Sequence, residues 1–360
     1  MHEFQPGWQF ASDNTAGMCP EAWAALAAAN TGYAPSYGED RWTARARALI
    51  RSVFEHERAE VYFVFNGTAA NALGLAAVCR SYHGIICHES AHVQVDECGA
   101  PEFFTHGAKL IPVGGDAAKL SRQTVLQAVE RRDDVHAPKP RAVSISQSTE
   151  WGALYQPAEI AALSELAHAH GLILHMDGAR FANALAALGT RGVRAADLSW
   201  RAGVDVLSLG GTKSGLSTTE AVVFFDPALA LQFEYRRKQA GQLASKMRFQ
   251  TSQWVGVLES GAWLRHAAHA NAAAAQLADA ISLIPGLRPL RAVEANAVFV
   301  ELDAAVAQAM ASWGWHFHRL GEAGYRLMCS WATSAADIEH FLSDLQRASS
   351  ADQAAPLQRQ

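Results

Sequence analysis

Lys213 lies in the run VDVLSLGGTKSG, Val204–Gly215, where an apolar stretch leads through two glycines to the lysine. A lysine just beyond a buried strand is desolvated. Its pKa falls, and its amine can hold an aldehyde as a Schiff base. Gly210 and Gly211 let the backbone turn sharply and approach a ligand closely. The plain alternative is a solvated loop lysine. A phosphate-binding P-loop fails, because Thr212 separates Gly211 from Lys213 where GxxxxGK[ST] requires them adjacent. Thirty-six residues earlier, GLILHMDGARFAN closes another apolar run with Asp177. Open α/β sheets bind ligands beyond the carboxyl ends of their strands, and both residues are predicted to sit at such ends. A lysine for an aldehyde, with a carboxylate to keep a pyridine nitrogen protonated, is the pair a pyridoxal 5'-phosphate site requires. Taken alone, Asp177 serves equally well as the cap of the helix after it.

Three further segments bear on such a site. In FNGTAAN, Phe65–Asn71, a strand ends and a helix begins at Gly67 and Thr68. The first N–H groups of a helix bind phosphate, and Thr68 adds a hydroxyl, although the same residues would make a simple helix cap. HESAHVQVDECG, His88–Gly99, contains the HExxH spacing of zinc proteases at His88, Glu89 and His92. That chemistry needs both histidines on one helix and a further ligand downstream. Here an apolar strand runs directly into His88 and no HxxGxxH continuation follows, so His92 reads better as a ring stacked on a pyridine; no metal is expected. Arg180 and Arg326 offer guanidinium groups for an amino-acid carboxylate, against the ordinary reading of surface ion pairs.

The elements that position these residues alternate. Strands are predicted at Val61–Phe65, Gly84–Cys87, Lys109–Val113, Ala142–Ile145, Leu172–His175, Val204–Leu209 and Ala221–Phe225. Helical patterns at Thr68–Arg80, Arg122–Glu130 and Pro157–His170 lie between them. Continuous apolar strands separated by helices predict a mostly parallel sheet covered on both faces. After about Gln250 the pattern changes to a long Ala-rich helix, strands at Asn296–Leu302 and Tyr325–Ser330, and a helix over Ser334–Gln346. The predicted organisation is an N-terminal segment 1–30, a large α/β domain 31–250 and a small α+β domain 251–360. The polar tail SSADQAAPLQRQ is expected to fray.

The chain has 360 residues, half of them hydrophobic, 18% charged, and a formal net charge of −5. That balance points away from nucleic-acid and membrane-surface partners. The opening MHEFQPGWQF lacks the basic and apolar regions of a leader peptide, and no run of eighteen apolar residues suggests a membrane span. Five scattered cysteines without a CxxC pair read as reduced thiols in a cytoplasmic protein.

Several segments together resemble the threonine aldolase family, pyridoxal-phosphate enzymes of the aspartate-aminotransferase fold (fold type I). They are FASDNTAG near the start, YGED at Tyr37–Asp40, the GTAAN turn, SAH…DECG, HMDGAR, GGTKSG and RKQAGQLASKMRF at Arg237–Phe249. HMDGAR followed by GGTK at this distance is the specific element. The resemblance implies Lys213 as the Schiff-base lysine and Asp177 as the partner of the ring nitrogen. It implies His92 stacked on the ring and moving protons, and Gly67 and Thr68 on the phosphate. Ser12, Arg180 and Arg326 would hold the substrate carboxylate, and Arg180 would also line the cofactor. The implied reaction is reversible cleavage of L-threonine, L-allo-threonine or a related β-hydroxy-α-amino acid, such as phenylserine, to glycine and an aldehyde. The implied assembly is a homotetramer built as a dimer of dimers, in which Arg236–Lys238 would reach a neighbour's cofactor phosphate. One departure is visible. Family members carry a histidine in a mid-chain ENTH-like segment, whereas this chain has Ser146-Gln147-Ser148-Thr149-Glu150, which leaves the base and the side-chain preference open. The alternatives are β-elimination or hydroxymethyl transfer on the same scaffold and, more remotely, a zinc hydrolase built on HESAH.

Overall fold

The computed structural model describes residues 8–320 and 324–354. The chain forms two compact units: Met18–Arg265, and the residues before it together with those from His266 onward. In the larger unit seven strands form one sheet: β2 (Glu60–Val64), β3 (His83–His88), β4 (Lys109–Val113), β5 (Lys139–Ser146), β6 (Ile173–Gly178), β7 (Val206–Leu209) and β8 (Glu220–Phe224). Their order is β2-β8-β7-β6-β5-β3-β4. Only β8 runs against its neighbours, pairing antiparallel with both β2 and β7; the other pairs are parallel. Every residue of β7 and β8, and all but the first of β6, is buried. Burial on both faces is why these strands read as unbroken apolar runs rather than alternating ones. All seven predicted strands are present: Lys109–Val113 has the predicted ends, and the ends of the others are displaced by at most three residues.

Helices fill the crossovers where the sequence places them, over Gly67–Val78, Arg122–Glu130 and Pro157–Ala169. Asn66 starts the first by accepting the Ala69 N–H at 2.9 Å, so the cap is Asn66 and not Thr68. Pro157 occupies the first turn of the third, where its missing N–H costs nothing. The Gly67–Val78 helix lies against β6, β7 and β8 and is buried nearly all round, with Asn71 its one buried polar side chain.

In the smaller unit β1 (Trp8–Phe10), β9 (Ala297–Glu301), β10 (Trp315–Leu320) and β11 (Gly324–Met328) form a sheet in the order β1-β10-β11-β9. Its core includes Phe10, Leu277, Val298, Trp315, Leu327 and Phe341. The Phe10 ring centroid lies 4.9 Å from that of Phe341 and 5.8 Å from that of Trp315. β1 pairs in parallel with β10, so the stretch around Phe10 completes this sheet. The last helix runs Ala335–Ala354, past the predicted stop at Gln346 and into the tail expected to fray. Residues 355–360 of that tail, and residues 1–7 of the segment read for a leader, lie outside the described residues. No described helix is long and apolar enough to cross a membrane.

Candidate active site

Asp177 is the penultimate residue of β6 and is 7% exposed. Its carboxylate accepts the Ala179 N–H at 3.0 Å and the Asn71 side-chain amide at 2.8 Å. Asn71 sits one turn into the Gly67–Val78 helix, and the same amide nitrogen donates to Glu97 Oε1 at 2.8 Å. That oxygen also bonds His92 Nδ1 at 2.8 Å. Asp177, Asn71, Glu97 and His92 thus form one hydrogen-bonded chain with three buried members. Hydrogen bonding to Glu97 raises the His92 pKa, and the nearby Asp177 charge adds to the effect. Burial raises the Glu97 pKa, against the pull of its His92 and Asn71 bonds. The ligand atoms of His92, Glu97 and Asp177 lie within 4.8 Å of one another. The Asn71 amide donates to both carboxylates and so ties them together.

His92 opens a short helix, His92–Val95, and its backbone N–H donates to Glu150 at 3.0 Å. Ser146 donates to the same Glu150 oxygen at 2.6 Å. The Ser146–Glu150 segment therefore supports the backbone of His92. Burial raises the Glu150 pKa. His88, in contrast, ends β3, and its ring is held by the Ser90 hydroxyl at 2.8 Å and the Gly115 carbonyl at 3.1 Å. His88 and His92 share no helix and bond to different partners, and Glu89 is exposed. This arrangement removes the zinc-hydrolase alternative.

Lys213 occupies a single 3-10 turn, Thr212–Ser214, just after β7. The two glycines before it are fixed by crowding. A Cβ on Gly210 would stand 2.2 Å from the Ala179 carbonyl oxygen, and one on Gly211 2.3 Å from that of Thr219. Glu220, at the start of β8, accepts the Gly211 and Thr212 N–H groups, the latter at 3.3 Å. Burial pushes the Glu220 carboxyl up to about 6, while the Lys213 charge opposes the shift. Because β6 and β7 are parallel neighbours with Asp177 opposite Ser208, Asp177 and Lys213 leave adjacent strands at the same edge. The Lys213 charge opposes the rise in the His92 pKa.

Gly67 and Thr68 form the first turn of their helix, and no heavy atom lies within 4 Å of where a Gly67 Cβ would stand. Arg180 follows Asp177 by three residues and directly precedes the helix Phe181–Gly189. Arg237 is buried; it donates to the Phe63 carbonyl at 3.4 Å and lies 5.4 Å from the Tyr62 ring. Burial holds its pKa down near 10. It is a packing residue of its own chain, which takes it out of the stretch expected to reach a neighbour. In the smaller unit, Ser12 accepts the Asn14 N–H at 3.2 Å, and Arg326, on β11, donates to the carbonyl of the adjacent Ala11 at 3.4 Å. These two predicted residues are thus brought together.

Asn71, Glu97, Glu150 and Glu220 went unread in the sequence. Asn71 and Glu97 stand inside the quoted GTAAN and DECG segments, and for Asn71 the available signal was an amide within the otherwise apolar run AANALGLAAV. His175 was also missed. It is buried beneath Asp177 on the same face of β6, between the Ser144 hydroxyl at 2.9 Å and the Ser208 hydroxyl at 3.1 Å. Burial lowers its pKa to about 4, so its ring is neutral.

Residues 9–305 match the model of the beta-eliminating lyase family. The chain is 51% identical over 344 residues to a low specificity L-threonine aldolase of a Pseudomonas species, covering 95% of this chain and 98% of the relative. It is 52% identical over 338 residues to the low specificity L-threonine aldolase of Pseudomonas aeruginosa, covering 94% and 96%. The chain belongs to the beta-eliminating lyases, in their threonine aldolase branch. Among solved structures, a threonine aldolase of Leishmania major superposes with a TM-score of 0.87 at 27% identity, over 94% of this chain and 98% of that one. The fold type I architecture expected of a threonine aldolase is therefore borne out, and the lyase class with it. The polar cluster beyond β6 and β7 is this family member's candidate active site.

Proposed function

We propose that the chain cleaves L-threonine, L-allo-threonine and related β-hydroxy-α-amino acids, phenylserine among them, to glycine and an aldehyde, using pyridoxal 5'-phosphate. The observation that supports this most is the buried Asp177 carboxylate, fixed by Asn71, at the strand end beside Lys213. It occurs in a chain half identical, over nearly its whole length, to two L-threonine aldolases.

The residues fit the cofactor. Asp177 is a buried carboxylate suited to a protonated ring nitrogen, and Lys213 sits on a turn with no latitude. Gly67 begins a twelve-residue helix, and the space where its Cβ would stand is open to a ligand. Lys213 would hold the aldehyde carbon, Asp177 the ring-nitrogen proton, and the Gly67 and Thr68 N–H groups the phosphate. His92 would cover the ring. When bound, the cofactor supplies an electron sink for the pair released as the Cα–Cβ bond breaks. Each unit offers its own candidate for the substrate carboxylate: Arg180 in the larger, Arg326 with Ser12 in the smaller. His92 takes the β-hydroxyl proton. Its Nδ1 is committed to Glu97, so Nε2 is the nitrogen that accepts it. A cytoplasmic homotetramer, a dimer of dimers, is the assembly proposed. The absence of a disulfide among the five cysteines agrees with that compartment.

Side-by-side assay of glycine release from L-threonine, L-allo-threonine and L-phenylserine tests this function. Glycine from both threonine isomers is expected, and the phenylserine rate reports how large a Cβ substituent is accepted. Ammonia with a 2-oxo acid in place of glycine would favour β-elimination instead, and folate dependence would favour hydroxymethyl transfer.

Glu97→Gln tests the base. Glu97 raises the His92 pKa, and His92 acts in its neutral form, so activity should rise with pH as His92 loses its proton. With glutamine in place, His92 deprotonates more easily and is a weaker base. The rising limb of the kcat/KM profile is expected to move to lower pH and its plateau to fall. A limb that stays in place would remove His92 from proton transfer.

A further inference from the structure

At the other edge of the larger unit's sheet, where the parallel strands begin, lies a cavity of about 650 Å³. Arg80, Lys139, Arg141 and Arg236 wall it, with His83 and Tyr82 between them, and no Asp or Glu lines it. In a chain of net charge −5 this concentration of positive charge is local. Arg141 is occupied by the backbone. It donates to the Gly171 carbonyl at 2.6 Å and the Val78 carbonyl at 3.3 Å, which neutralises backbone ends at that edge. The other three cations make no such bonds to carboxylates. Among the described residues, no carboxylate lies within ion-pairing distance of Arg80, Lys139 or Arg236. Burial first, and then the charges of Arg141, Arg80 and Lys139, lower the His83 pKa. Tyr82 is 60% exposed and stands edge-on to His83 at 4.5 Å, giving the cavity an aromatic wall. The sign changes across Lys139, since the adjoining cavity that shares it carries Glu130, Asp133 and Asp134.

We propose that this cavity binds a multivalent, phosphate-bearing small molecule. Guanidinium groups pair with phosphate in bidentate fashion, and several like charges held together without a counter-charge are best compensated by one multivalent anion. The site is separate from the catalytic cluster: Gly171, at its rim, and Asp177 lie at opposite ends of the β6 segment, about 20 Å of extended chain apart.

Calorimetric titration of the cofactor-loaded enzyme with inorganic pyrophosphate, at constant ionic strength, tests the proposal. Saturable binding is expected in the wild type. The double variant Arg80→Ser, Lys139→Ser should bind about tenfold more weakly or worse, with glycine release from L-threonine unchanged. The exposed single change Arg80→Glu should weaken binding in the same direction and serves if the double variant fails to fold. Tighter binding of a nucleoside triphosphate than of pyrophosphate would assign the Tyr82 wall to a base; equal binding would assign the site to the phosphates alone. No saturable heat from the wild type, or equal affinity in wild type and variants, would overturn the proposal.

Discussion

Lys213→Ala is expected to lower glycine release from L-threonine on the order of 10³-fold or more, because a residue that holds the reacting group covalently has no substitute in the site. The lysine's surroundings support a loss this large. Its turn is fixed from three sides: Gly210 and Gly211 touch neighbouring backbone too closely for any Cβ, and Glu220 accepts the N–H groups of Gly211 and Thr212. Lys119, which follows β4 at the same edge of the sheet, is held by Glu159 at 2.6 Å and by the Leu154 carbonyl at 3.0 Å. The side chain is only half-buried, so the melting temperature of the cofactor-free variant should stay near that of the cofactor-free parent. Lys213→Arg keeps the charge but cannot hold an aldehyde and should be as inactive as the alanine variant. Turnover near the parent rate in either variant would remove Lys213 from its role.

Asp177→Asn should come next, with a loss of about 10²–10³-fold in kcat, the usual size for removing one preorganised electrostatic partner from a closed site. The substitution keeps the shape of the side chain and removes only the charge. Asn71 would still donate to Glu97, but an amide beside the ring nitrogen cannot keep it protonated. The variant is expected to bind pyridoxal phosphate more weakly, read by the absorbance retained after dialysis. Asp177→Ala should show the same loss and, in addition, leave a buried Asn71 donor with one partner fewer, at about 1–3 kcal/mol of stability. If Asp177→Asn turned over normally while Asp177→Ala did not, the residue would be serving packing alone.

The larger unit was legible because its central strands are buried on both faces. Continuous apolar runs such as Leu172–His175 carry a signal that their neighbours do not dilute. The smaller unit was half legible. β10, Trp315–Leu320, buries only Trp315 and carries two histidines and an arginine in six positions, so its pattern faded into loop. β1 is three residues long and exists because β10 is there to pair with it. Within the candidate site, residues at strand ends, Asp177 and Lys213, could be found from spacing alone. Asn71, Glu97 and Glu150 could not, since each acts through a partner 26 to 106 residues away, and a single sequence does not record such pairings. HESAH erred in the other direction: five residues match a zinc helix, but the strand before them forces His88 into the sheet.

The products formed from L-threonine by the cofactor-loaded enzyme test the central claim most directly. Glycine and acetaldehyde in equal amounts, with no ammonia, are the expected result. Ammonia and a 2-oxo acid with no glycine would contradict it.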